Sequence, residues 1–225
     1  MSQLIKPKPL RPGDTIGLLA PASPGKAEEL EQGVRWLQDQ GFQVRLGKSA
    51  AYTDGICAGD DALRVDDLHT FFADPSIAGI LCIRGGYGSM RLLPQLDYEL
   101  IKRHPKVFMG YSDITALHTV LQQRCGLVSF HGPMAASDFG REPLSDFTCK
   151  HSLRALTSTN PLGELPTPPA GANIDVGALL AECKKRMPAY MVPHGIDVRG
   201  GPLPRNPNGK IDRKTLSAEW LQKAH

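Results

Sequence analysis

Lys106-Val107-Phe108-Met109-Gly110-Tyr111-Ser112-Asp113-Ile114-Thr115 is an apolar run that breaks at a glycine and resumes as a helical pattern. The run through Gly110 reads as a strand buried on both faces, and residues 115–123 read as the helix that follows. Strand, tight turn and helix in that order is the setting of a nucleophile elbow, which lifts a serine oxygen out of a sheet. Gly110 allows close packing at the turn. The helix start near Ile114 aims free N–H groups and its positive dipole end at Ser112, which favours a developing oxyanion. The pattern is not the G-x-S-x-G form, because Asp113 is followed by Ile114 and Thr115. Ser112 or Asp113 can equally be the N-cap of the helix, a common use of Ser-Asp ahead of an apolar helix. On this pattern alone both readings stand.

The same alternation extends outward on both sides. Thr15-Ile16-Gly17-Leu18-Leu19-Ala20 reads as a strand closed by Pro21-Ala22-Ser23-Pro24-Gly25. Leu30, Val34 and Leu37 recur at helical spacing within residues 26–40, and Gly41 stops that helix. Residues 42–46 read as a strand, 60–72 as a helix, and 77–83 as a buried strand. The last runs directly into Arg84-Gly85-Gly86-Tyr87-Gly88, after which a short helix begins at residues 89–93. Residues 127–130 form one more strand, ending at His131-Gly132-Pro133. Strands that alternate with helices predict an α/β fold: a Rossmann-like, flavodoxin-like, mainly parallel sheet with flanking helices.

In such a doubly wound sheet the loop from Arg84 to Gly88 emerges on the same carboxyl edge as Ser112. Its glycines permit dihedrals that turn peptide N–H groups into the cleft. One of them can supply an oxyanion donor while Asp113 N–H supplies the other. Phosphate binding is the weaker use of this loop, which has neither the Lys-Ser/Thr ending of a P-loop nor G-x-G-x-x-G spacing.

Bulk properties are those of an ordinary globular chain: 225 residues, 41% hydrophobic, 22% charged, net charge +3. The mild charge gives no reason to invoke nucleic acid. The polar, prolyl opening through Pro12 carries no signal core, and no apolar run is long enough to span a bilayer, so a cytoplasmic location without membrane association is expected. Cys57, Cys82, Cys125, Cys149 and Cys183 are odd in number and contain no C-x-x-C pair, so neither disulfides nor a metal site is expected. Cys57 and Cys183 read as the more exposed of the five. No cofactor is called for.

Residues 157–171 change character. Pro161, Pro166, Pro168 and Pro169 among small and polar residues are linker chemistry. A boundary near residues 169–173 divides the chain into domains 1–170 and 171–225, the second a small α+β tail that includes a short basic helix at residues 179–187.

Several blocks in order resemble the LD-carboxypeptidase family over residues 5–165. They are Arg11-Pro12-Gly13-Asp14-Thr15-Ile16-Gly17, Ala20-Pro21-Ala22-Ser23-Pro24, Arg84 to Gly88, Lys106 to Thr115, and Phe130-His131-Gly132-Pro133-Met134. The resemblance implies a serine peptidase that removes a C-terminal residue beyond an L-to-D peptide bond. The usual substrate is a cytoplasmic muropeptide released in peptidoglycan recycling, cut to release D-Ala; a branch of the family inactivates peptidyl-nucleotide antibiotics instead. The implied nucleophile is Ser112, with backbone oxyanion donors at Asp113 and at Gly85 or Gly86. Arg84 is a candidate partner for a substrate carboxylate, and Tyr87 lies beside it as a further substrate-binding candidate.

A serine at neutral pH needs a base. The family's base is a histidine oriented by a glutamate, both from the C-terminal half, and neither pattern occurs beyond residue 171. Impaired turnover is therefore expected, with His131 the imidazole to test as a substitute; the other histidines read as structural. The tail instead resembles the end of adenylate-forming enzymes, through Arg186-Met187-Pro188-Ala189-Tyr190-Met191-Val192-Pro193 and the segment from Leu203 to Lys214. The matching lysine there, Lys210, reaches an acyl-adenylate as a point charge. A peptide-binding domain without catalysis and an AMP-forming ligase module are thus the alternatives. A domain lacking its usual second half exposes cleft walls, which predicts self-association, with a homodimer as the expected form.

Overall fold

Five strands pair in parallel in the order β2-β1-β3-β4-β5. They are β1 (Thr15–Leu19), β2 (Gln43–Leu46), β3 (Ile77–Cys82), β4 (Val107–Gly110) and β5 (Phe130–His131). The connecting helices are α1 (Ala27–Asp39), α2 (Asp61–Ala73), α3 (Tyr98–Arg103) and α4 (Thr115–Cys125), with α5 (Asp146–Thr157) after the sheet. This computed structural model describes residues 4–163, 176–186, 193, 196, 203–205 and 211–223. The chain forms two compact units, Met1–Gly163 and Glu164–His225.

The sheet is apolar on both faces because its strands alternate between two cores. Ile80, Cys82 and Phe108 belong to one, with Val65, Leu68, Phe72, Ile101, Leu117 and Leu121 from α2, α3 and α4. Leu81, Val107 and Met109 belong to the other, with Leu30 and Leu37 of α1 and Leu156 of α5. Continuous rather than alternating apolar strands follow from that double burial. Each fully buried Leu, Ile or Phe contributes roughly 1.5–3 kcal/mol of transfer free energy, so the sheet centre is the stable platform from which the loops project.

The strand order reverses between β1 and β3, the position where doubly wound sheets open a crevice at their carboxyl edge. Ala20 to Gly25, Ile83 to Gly88 and Tyr111 to Asp113 leave β1, β3 and β4 at that edge. A 3-10 segment, Ser89–Gln95, occupies the place of the short helix expected after the glycine loop, and a 3-10 turn, Ser112–Ile114, feeds α4. The last strand is shorter than expected. Leu127 forms a parallel bridge with Ile5 instead, and only Phe130 and His131 pair with β4.

The second unit contributes α6 (Val176–Arg186), α7 (Arg213–Lys223) and an antiparallel bridge between Arg205 and Ile211. The Asp212 carboxylate caps α7 by accepting from Thr215 N–H at 3.2 Å. Lys210 and most of the string said to resemble adenylate-forming enzymes lie outside the described residues. Among the described residues, no helix is long and apolar enough to cross a membrane and no side-chain cluster is suited to a metal ion.

Candidate functional site

Ser112 sits at the carboxyl end of β4 with φ 63°, and among the described residues it has the only positive φ outside glycine. A left-handed conformation costs an L-residue roughly 1–2 kcal/mol and persists only where the surroundings enforce it. Here Tyr111 enters extended, at φ −151°, and Ile114 N–H closes the turn on Tyr111 O at 3.3 Å. The serine side chain is exposed, and its Oγ has no hydrogen-bond partner among the described residues.

The cap reading of Ser112 and Asp113 does not describe what these side chains do. The residue preceding α4 is Ile114, with no side-chain cap bond. The Asp113 carboxylate turns to the glycine loop, where Oδ2 accepts from Ser89 N–H at 2.9 Å. Ser89 Oγ in turn donates to Asp113 O at 2.6 Å. Ser89, fully buried, carries no side-chain signal in the sequence that marks it for this role.

The glycine loop lies against the elbow. A Cβ on Gly85 would stand 3.2 Å from Ser112 Cβ and 3.5 Å from Asp113 N. Gly86 has φ 109°, and a Cβ there would come within 2.3 Å of Ser23 Oγ, so glycine is required on both counts. From the β1 side, Ser23 N–H donates to Gly85 O at 3.1 Å, and Ser23 Oγ accepts from Tyr87 N–H at 3.2 Å. Ser23 is 7% exposed. In the sequence it stands inside a breaker segment, and its partner lies 64 residues away.

Arg84 is exposed and donates through Nη1 to Pro24 O at 3.1 Å, which leaves the rest of its guanidinium for a ligand. Tyr87, 53% exposed, lines an open cavity of about 670 Å³ with Asp54, Ile56, Arg64 and Arg91. The structure thus brings Ser112, Asp113, Gly85 and Gly86 together at one edge, with Arg84 and Tyr87 on the flanking loop. Cys57, expected to be exposed, is buried at 7%. The loop after β2 folds back so that Ala58 N–H reaches Ala22 O at 2.9 Å, and Cys57 Sγ faces Tyr87 O at 3.8 Å.

Neither nearby histidine is bonded to Ser112. His118 is committed to structure: Nε2 donates to Gly110 O at 2.8 Å, which leaves Nδ1 to accept from Ser129 Oγ at 2.8 Å. Its ring meets Phe108 edge-on, and burial pulls its pKa below the ordinary value. His131 is exposed on β5, its ring 6.0 Å from Tyr111 and 6.2 Å from His118. Tyr111 is half-buried, its OH donating to Asp138 Oδ1 at 3.4 Å; burial and then the Asp138 charge raise its pKa and keep it protonated.

The LD-carboxypeptidase N-terminal domain matches residues 16–132, which span the whole of this edge. The chain belongs to the LD-carboxypeptidase family. It is 46% identical over 143 residues to a probable murein peptide carboxypeptidase of Bacillus subtilis, covering 64% of this chain and 45% of that one. A putative carboxypeptidase of Streptomyces coelicolor is 35% identical over an alignment covering 98% of this chain and 76% of the relative. Among solved structures, a MccF-like protein from Bacillus anthracis superposes with a TM-score of 0.66 at 38% identity, over 68% of this chain and 47% of that one. The chain thus spans about half the length of the first and third of these LD-carboxypeptidase relatives.

Proposed function

We propose that Ser112 is the nucleophile of a serine-type LD-carboxypeptidase site whose substrate is a cytoplasmic muropeptide ending in D-Ala. The observation that carries this reading is the left-handed Ser112 at the end of β4. A capping serine gains nothing from such a conformation, whereas an attacking oxygen gains exposure above the sheet edge. Asp113 N–H and an N–H of Gly85 or Gly86 are the donors for the tetrahedral oxyanion. Arg84 receives a substrate carboxylate, and the cavity beside Tyr87 gives room for the distal part of the peptide. The name of the Bacillus subtilis relative supports murein peptide as the substrate class.

Attack needs the Ser112 proton to leave, and no described imidazole accepts from Oγ. Ser112 Oγ thus has no base among the described residues, and a small diffusible base should speed its attack. The test is modification of Ser112 by a fluorophosphonate, followed by peptide mass mapping, across a series of imidazole concentrations. Labelling that rises with imidazole and disappears in Ser112→Ala supports the reading. No adduct at Ser112 at any imidazole concentration overturns the nucleophile assignment. Release of D-Ala from a tetrapeptide muropeptide without added base, abolished in Ser112→Ala, overturns the impairment and directs attention to His131. A homodimer is part of the same proposal, read out by sedimentation.

A further inference from the structure

We infer that Ser23 and Ser89 are positioning residues that set the oxyanion hole from opposite sides, an inference that rests on Ser112 being the nucleophile. In a trans peptide the C=O of one residue and the N–H of the next point in opposite directions. Ser23 N–H holds Gly85 O toward the β1 loop, so the Gly86 N–H of the same peptide points away from β1. The β4 elbow lies on that side, since β3 sits between β1 and β4 in the sheet. Gly86 N–H has no partner among the described residues and is free to donate to an oxyanion.

A glycine with φ 109° has wide backbone freedom, so its peptide orientation is fixed by what it is tied to. Ser23 ties both flanks of Gly86, taking Gly85 O through its N–H and Tyr87 N–H through its Oγ. Rotation of the Gly85–Gly86 peptide would break the first bond and strain the second. The residue that carries the other donor, Asp113, is held from across the cleft. Ser89 fixes it at its carbonyl and its side chain, through Oγ and N–H respectively, while the Ile114 N–H bond to Tyr111 O closes the turn over the Ser112–Asp113 peptide that carries the donor. Both serines are almost fully buried, so they act through the loops that they tie rather than from the cleft surface. Their effect is to remove reorganisation of the two donors at the moment charge develops.

The intact chain is used throughout, as wild type, Ser23→Ala, Ser23→Thr and Ser89→Ala. The first readout is saturable labelling of Ser112 by a fluorophosphonate in fixed imidazole, which separates the inactivator's half-saturating concentration from its maximal rate. Each alanine variant should lower the maximal rate by about 10- to 100-fold, somewhat less than loss of a whole oxyanion donor. Half-saturation should stay within about twofold, and Ser23→Thr, which keeps the hydroxyl, should restore most of the rate. A role in general folding would instead shift the melting temperature and both constants together. The second readout needs no reactivity: Tyr87 amide exchange, which should quicken in Ser23→Ala, where its acceptor is gone. Maximal rates within about threefold of wild type in both alanine variants overturn the inference, and so does unchanged Tyr87 exchange. Quickened exchange in a protein whose Ser112 never labels leaves only a loop anchor. That outcome refutes the nucleophile reading and the oxyanion role built on it.

Discussion

A Cβ added to Gly85 would stand 3.2 Å from Cβ of Ser112 and 3.2 Å from the carbonyl oxygen of Tyr111. Both contacts are tighter than ordinary van der Waals packing; one falls on the Cβ of the left-handed Ser112 and the other on a backbone carbonyl. The neighbours cannot give by rotating a flexible side chain. Gly85→Ala should therefore push the elbow rather than the loop, at about 1–3 kcal/mol of stability for an overpacked site. Urea unfolding gives that loss, and imidazole-assisted labelling of Ser112 should fall by at least about tenfold. Wild-type stability with wild-type labelling would mean that the two loops have room to separate.

Ser112 itself should oppose stability. Ser112→Gly removes a left-handed penalty of roughly 1–2 kcal/mol and adds a glycine entropy cost of roughly 0.5–1 kcal/mol. The net expectation is a gain of up to about 1.5 kcal/mol in denaturant unfolding. Ser112→Ala retains the Cβ and so retains the strain, and its stability should stay within about 0.5 kcal/mol of wild type. Both variants lose the labelled oxygen, so a stability difference between them isolates the backbone. A Ser112→Gly protein less stable than Ser112→Ala would show that the turn is not strained.

Most of the sheet was legible because burial on both faces leaves continuous apolar runs such as Ile77 to Ile83, and breakers follow directly at the loops. The six-residue α3 and the twelve-residue α5 carry local start signals in the sequence: Asp97 accepts from Leu100 N–H, and Ser145 from Thr148 N–H, each at cap spacing. Leu127 reads as strand in the sequence, but a bridge to Ile5, more than a hundred residues away, takes it from β5. At the site, Gly85, Gly86 and Ser112 were marked by residue type and by position on one sheet edge. The clamp was not. A carboxylate that caps a helix and one that reaches a loop 24 residues back look alike in sequence, and Ser23 is one serine among prolines until β1 and β3 are paired.

Arg64, 1% exposed, joins α2 to the loop after β1. It donates to Pro21 O at 2.9 Å and Asp60 O at 3.2 Å and pairs with the Asp61 carboxylate. Arg64→Met leaves Pro21 O without its donor, while Asp60 O keeps the backbone N–H of residue 64. Removing one member of a buried pair costs roughly 3–5 kcal/mol, but Asp61 keeps Arg91 at 2.9 Å, so about 2–3 kcal/mol is expected here. Arg64→Lys should recover little, since an ammonium cannot fork to three acceptors in a fixed plane. Urea unfolding of the two variants measures both expectations. Full recovery by lysine would mean that charge alone matters at this position.

His118 should make the protein acid-sensitive in a narrow window. Burial lowers its pKa below the ordinary histidine value of 6.5; the bond to Gly110 O opposes this, and the His131 ring nearby adds to it. Well above pH 6.5 the imidazole is neutral in folded and unfolded chains alike and contributes no pH dependence. As pH falls below 6.5 the unfolded chain takes up the proton first, so stability declines until the folded-state pKa is passed and then levels. Protonation would also turn Nδ1 from acceptor to donor and force Ser129 Oγ to accept instead. His118→Gln keeps a donor for Gly110 O and removes the titration. Urea unfolding at pH 7.5, 6.5 and 5.5 should show wild type losing stability between the last two values. The glutamine variant should lose measurably less over that step. Parallel pH profiles for the two proteins would mean that His118 is as readily protonated in the folded chain as in the unfolded one.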